Sequence, residues 1–90
     1  MIKIDLNKYN IIEIDSISDL KCGMIVMSKY SYRVGIVTDI DKDEGTFTAH
    51  LCVTQLSEEN EYCGSDEHSN DWHYSAFRIL EDKETIFWNL

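Results

Sequence analysis

From Thr46 to Val53 the chain reads TFTAHLCV, apolar and polar residues in strict alternation. A period of two sets Phe47, Ala49, Leu51 and Val53 on one face of an extended strand and Thr46, Thr48, His50 and Cys52 on the other. A helix turns every ~3.6 residues and would scatter that set around its circumference, so the segment is committed to a sheet. Related patterns recur along the chain. MIKIDL alternates Ile2, Ile4 and Leu6 with Lys3 and Asp5, NKYN reads as a turn, and IIEID reads as a strand with Ile12 and Ile14 on one face. The first fifteen residues therefore read as an N-terminal hairpin. MIVMSKY is a continuous β-forming apolar run, and YRVGIVTDI alternates Val34, Ile36 and Ile40 around Gly35, where a bulge or a close backbone approach is expected. Between these strands SISDLKCG reads as a short turn capped by Ser18 or Asp19.

The connection TDIDKDEGT places Asp39, Asp41 and Asp43 at alternate positions, which raises the question of calcium. A calcium loop of the EF-hand type counted from Asp39 needs Gly at its sixth position and Glu at its twelfth, where this chain has Glu44 and His50. The stretch is an acidic turn, with Gly45 at the position that tolerates φ > 0. From Leu56 to Asp71 periodicity disappears into Ser, Asn, Gly and acids, which reads as a long loop. WHYSAFRIL then carries Trp72, Tyr74 and Ala76 before shifting phase to Phe77, Ile79 and Leu80, the mark of a strand that bends or passes through one helical turn. The last residues, KETIFWNL, hold Ile86, Phe87, Trp88 and Leu90, an apolar set expected to be buried within the chain or against a second copy. Proline is absent, and there is no internal repeat or heptad.

Ninety residues provide one domain with a modest core. No apolar run approaches the ~20 residues of a membrane span and no signal-peptide layout opens the chain, so a cytoplasmic protein is expected. Three cysteines, an odd number, are expected as free thiols. Cys52, Cys63, His50, His68 and His73 lack the closely paired ligands by which zinc sites announce themselves, although His50 and Cys52 would share a strand face. The expectation is no metal and no cofactor. Catalysis is not expected either: the four glycines are isolated and form no phosphate loop, and no nucleophile sits in a recognisable context. Cys63 stands near His68 but among carboxylates, which raise a thiol's pKa and weaken it as a nucleophile.

Charge is the remaining clue. The net charge is −9, and residues 39–71 carry ten acids against Lys42 alone while the first 38 residues are nearly balanced. Such a segment repels phosphate and attracts basic surfaces, including clefts that hold DNA or RNA. The candidate partner-binding set is Asp39, Asp41, Asp43, Glu44, Glu58, Glu59, Glu61, Asp66, Glu67 and Asp71, with Tyr62 and Trp72 as aromatic anchors. Ile86, Phe87, Trp88 and Leu90 are the candidates for self-association, so the chain is expected as a monomer or a homodimer.

The pattern from Asp19 to Leu51 resembles the opening of SH3-like small β-barrels. Leu20 and Gly23 precede the apolar strand MIVM, the loop SKYSYR leads to Gly35 and Val37, and the acidic turn DKDEG leads to TFTAHLCV. DWHYSAFRIL, Asp71 to Leu80, is similar to the closing element of such barrels. The resemblance implies an all-β SH3-like barrel over residues 20–80, with the N-terminal hairpin (1–15) and the long acidic loop as additions, and it leaves function open. This chain lacks the basic strip of the nucleic-acid-binding branches. In size, acidity and lack of proline it also resembles small early proteins of large bacteriophages, several of which bind a host enzyme and some of which mimic DNA. That resemblance implies a non-catalytic, DNA-mimic-like inhibitor of a host nucleic-acid enzyme, working in the bacterial cytoplasm. The alternative expectation is a small assembly barrel that self-associates through IFWNL.

Overall fold

The computed structural model describes residues 2–52, 54–55 and 67–83. The protein is mainly β: β1 (Ile2–Lys3), β2 (Tyr9–Glu13), β3 (Ile25–Ser28), β4 (Val34–Asp41), β5 (Thr46–Cys52), β6 (Thr54–Gln55), β7 (Glu67–His73) and β8 (Phe77–Asp82). Six strands form one antiparallel sheet in the order β2-β8-β3-β4-β5-β7, and β1 pairs in parallel with β6. Among the described residues β2 and β7 are the outer strands and no pairing joins them, so closure into a barrel is not seen.

Register explains why the core lies where it does. One row crosses all six strands as Ile12, Ile79, Val26, Gly35, Leu51 and Glu67. Ile79, Val26 and Leu51 of this row belong to the larger core cluster, with Ile14, Leu20, Val37, Phe47, Ala49 and Phe77. Phe47 and Phe77 meet edge to face at 5.0 Å, and Trp72 meets Phe77 in the same manner at 5.3 Å. Gly35 has to be glycine for this packing, since a Cβ there would stand 2.4 Å from the His50 carbonyl oxygen and 2.7 Å from a Leu51 methyl. The close approach expected at Gly35 is therefore present, whereas the bulge in this pairing falls at Thr38.

The opposite face has a row of Glu13, Arg78, Met27, Val34 and Cys52. Met27, Val34 and Leu80 are buried there beneath Ile2, Ile4, Leu6, Tyr9 and Ile25. The alternation of Ile2, Ile4 and Leu6 thus does supply a packing face, but the N-terminal hairpin does not form. Asp5 caps a 3-10 turn at Leu6–Lys8, its carboxylate accepting from the Asn7 amide at 3.0 Å. The chain leaves that turn to pair β2 with β8, while β1 stays with β6.

Four further expectations change in detail. The turn before β3 is capped by Ser16, with Asp19 completing the reciprocal capping box. Ile12 does not share the buried environment of Ile14, because it lies on the outer strand β2 and is exposed. Ile36 is 49% exposed although Val34 is buried, since the covering segment from Ile2 to Leu6 does not bury it. Polar residues from Glu67 to Asp71, read as loop, form most of β7, because pairing with the strongly patterned β5 overrides their weak strand propensity. The phase shift after Trp72 is a 3-10 turn at Tyr74–Ala76. Val53 lies outside the described residues.

Candidate protein-binding surface

The β4–β5 turn is built by one of its own acids. The Asp41 carboxylate accepts from the amides of Asp43 and Glu44, each at 3.1 Å, and the Asp41 carbonyl accepts from the Gly45 amide at 3.0 Å. Gly45 closes the turn at φ 70°, a value that penalises a side chain. Asp39 accepts from the Ile40 amide at 3.0 Å beside the Thr38 bulge. All four acids, Asp39, Asp41, Asp43 and Glu44, are exposed, so the turn presents carboxylates on a locally fixed backbone. The tip rests near the Tyr74 and His73 rings, which lie just under 4 Å from where a Gly45 Cβ would be. His73 caps the next 3-10 turn, its Nδ1 accepting from the Ser75 amide at 3.2 Å, and its ring stacks on Tyr74 at 4.4 Å.

Strand pairing gathers some of the other acidic positions and separates others. Thr46 pairs with His73 and Phe47 with Trp72, then β7 bulges past Asn70 and Asp71 before Ser69 meets Ala49. Asp71 is thereby brought to the sheet end that carries the acidic turn, while Glu67 pairs with Leu51 further along β5. Trp72 is half-buried and joins the core through Phe77, and its indole N–H is buried with no acceptor among the described residues. Glu58, Glu59, Glu61, Tyr62, Asp66, Ile86, Phe87, Trp88 and Leu90 lie outside the described residues, as does Cys63. Cys22 and Cys52 are free thiols.

The other end of β4 holds a surface that the sequence reading passed over. In the loop from Lys29 to Arg33, Tyr30 is 81% exposed and Tyr32 49%. The buried Ser28 hydroxyl accepts from the amides of Tyr30 and Ser31 at 3.2 Å, and the Ser28 carbonyl accepts from the Tyr32 amide at 3.0 Å. Lys29 donates its amide to Ala76 and Arg33 to the Ser31 hydroxyl, so all five loop amides are satisfied. Tyr32 sits at φ 58°, a conformation costly for a bulky residue. The available signal was the motif Ser-Lys-Tyr-Ser-Tyr-Arg between two strands, since tyrosine and serine in a short loop make rigid, adaptable contact surfaces. Beside it Glu13 bridges Arg78 and Lys29, the latter at 3.2 Å, and Arg78 first and Lys29 second hold the Glu13 carboxyl below its ordinary pKa.

No family model, curated protein or solved structure matches the chain. Among the described residues no helix is long and apolar enough to cross a membrane. The fold and the surface thus define a β-sheet protein with a pre-shaped acidic end.

Proposed function

We propose that this chain is a non-catalytic protein-binding module that docks its acidic segment on the basic cleft of a nucleic-acid-processing enzyme. The observation that carries the reading is the β4–β5 turn, where Asp39, Asp41, Asp43 and Glu44 are exposed around a backbone already fixed by the Asp41 carboxylate. A fixed array of carboxylates lowers the ordering cost of binding and offers charge-assisted hydrogen bonds to Arg and Lys of a partner. The net negative charge of residues 39–71 attracts such a partner and speeds the encounter. A DNA-mimic-like inhibitor of the bacteriophage type, acting in a host bacterial cytoplasm, is the specific form of this reading.

The SH3-like barrel belongs to the same proposal. In its support, β8-β3-β4-β5-β7 run as successive antiparallel neighbours, with a single 3-10 turn between β7 and β8. A second reading, self-association of a structural barrel, draws support from Ile11 and Ile12, which are exposed on the outer strand β2.

The test is capture from bacterial lysate by the tagged chain, beside a variant with Asp43, Glu44, Glu58, Glu59 and Glu61 changed to Asn or Gln. A nucleic-acid enzyme retained by the native chain, lost from the variant and released by raising salt supports the proposal, because exposed charges are screened within about 8 Å at 0.15 M. Capture that ignores both salt and neutralisation removes it, and recovery of the chain alone as a dimer favours self-association.

A further inference from the structure

The two outer strands of the sheet are finished differently. β7 carries the acidic residues Glu67 and Asp71 and bulges against β5, features that discourage pairing with another chain. β2 keeps an unbroken register with β8 and has no proline, and both Ile11 and Ile12 are exposed on it. Ile11 stands beside Leu80 and Ile12 beside Ile79, so each face of the sheet ends at this edge in an uncovered isoleucine.

Hydrogen-bond phase shows what the edge offers. Cross-strand pairs in an antiparallel ladder alternate between those that exchange backbone hydrogen bonds and those that do not. The Lys83 amide donates to the Lys8 carbonyl, one position before the pair Tyr9 and Asp82. Asn10 and Ile12 therefore bond β8, while Tyr9, Ile11 and Glu13 turn their backbone groups to the open edge. The Tyr9 amide agrees with this phase, since it donates to the Leu6 carbonyl and not to β8. Among the described residues β2 has no strand on that side.

A second β2, antiparallel and centred on Ile11, complements this pattern. The two Ile11 residues then exchange amide and carbonyl, and each Glu13 amide donates to the partner's Tyr9 carbonyl. Charge favours the same arrangement. β2 and β8 with the flanking Lys8 and Lys83 carry three acids (Glu13, Glu81, Asp82) and three bases (Lys8, Arg78, Lys83). The acidic turn joins β4 and β5, nearer the β7 edge. Pairing β2 with its copy thus joins two balanced edges and keeps the acidic turns of two like-charged chains apart.

We propose that two copies of this chain associate in solution by antiparallel pairing of β2 across a two-fold axis at Ile11. The paired Ile11 side chains continue the face on which Leu80 is buried. The five-residue edge makes a small interface, so the dimer is reversible. The proposal rests on the self-association reading, to which it gives a surface, and it leaves both acidic turns free to dock.

The test is sedimentation velocity of the full chain across a wide concentration range, with reductant present because Cys22 is exposed. The expected result is a monomer–dimer equilibrium that tightens as salt rises, since screening relieves repulsion between chains of net charge −9. Ile11→Pro removes the outward amide without removing a bond to β8, and Ile11→Lys sets like charges face to face across the axis. Each variant, checked for folding by circular dichroism, weakens the dimer by roughly tenfold or more. Amide exchange in the native chain decides if a variant fails to fold: the Ile11 and Glu13 amides slow as concentration rises, while those of Asn10 and Ile12 do not change. A dimer that survives Ile11→Pro, or in which the Ile11 amide stays fast, overturns the β2 interface and keeps the self-association reading. A monomer at every concentration, including one whose own chain already protects the Ile11 amide, overturns both.

Discussion

The two ends of β4 solve the same problem with different chemistry. At Asp41–Gly45 the chain reverses on a carboxylate that accepts two amides, and the residue that must take φ > 0 is glycine. At Lys29–Arg33 a buried serine hydroxyl does the equivalent work, and the residue at φ > 0 is Tyr32. The acidic end is conformationally relaxed and electrostatically loaded. The tyrosine end stores backbone strain and displays aromatic surface, with its nearby cations Lys29 and Arg78 drawn to Glu13. Strain of about 1–3 kcal/mol persists only where surrounding structure over-determines the conformation. Here the satisfied amides and the β3–β4 pairing do so.

The comparison can be broken first in the strand that joins the two ends. Gly35→Ala places a Cβ against backbone that cannot swing away, so a loss at the upper part of ~1–3 kcal/mol is expected in urea unfolding, together with looser turns at both ends. An unchanged midpoint would show that β4 yields more easily than its register implies. Next in size, Ser28→Ala leaves two amides of the tyrosine loop without their acceptor and should cost about 1–3 kcal/mol. Faster amide exchange confined to residues 30 and 31 would localise that effect, whereas uniform exchange across the sheet would argue against it.

The glycine contrast is then tested by reciprocal substitution. Gly45→Ala should destabilise by about 1 kcal/mol, while Tyr32→Gly should be neutral or stabilising by up to ~1 kcal/mol, because relief of the left-handed strain is partly offset by glycine's unfolded-state entropy. Substantial destabilisation by Tyr32→Gly would mean that the ring contributes packing that outweighs the strain. The smallest expected effect is on pH. The Glu13 carboxyl has a lowered pKa in the folded protein, so its contribution is complete above the unfolded value of ~4.3 and is lost as pH falls through the lowered folded value. Glu13→Gln should therefore lower stability slightly at neutral pH and flatten its decline on acidification, measured by thermal midpoint from pH 7 to pH 3.

How far the acidic end was legible follows from the range of the interactions involved. The Asp41 turn is local, made by residues within four positions of one another, and the pattern DKDEG declares it. The tyrosine end was less legible because its conformation depends on a Ser28 that is buried where β3 pairs with β8, almost fifty residues on, and on the Ala76 carbonyl just before β8 that receives the Lys29 amide. The N-terminal hairpin failed for a related reason. Alternation shows that Ile2, Ile4 and Leu6 need a buried face, but it carries no information on whether the partner is the adjacent strand or β6, fifty residues away.

What the sequence by itself determined is the period of each strand, the acidic turn and the charge concentrated between residues 39 and 71, because these are set by neighbouring residues and by composition. Tertiary structure decided which face each strand buries at its edges, where the bulges fall, and that β7 begins at Glu67. It alone set Trp72 opposite Phe47 and so beside Phe77 in the core, because register is a property of two strands and a shift of one residue moves a side chain to the other face.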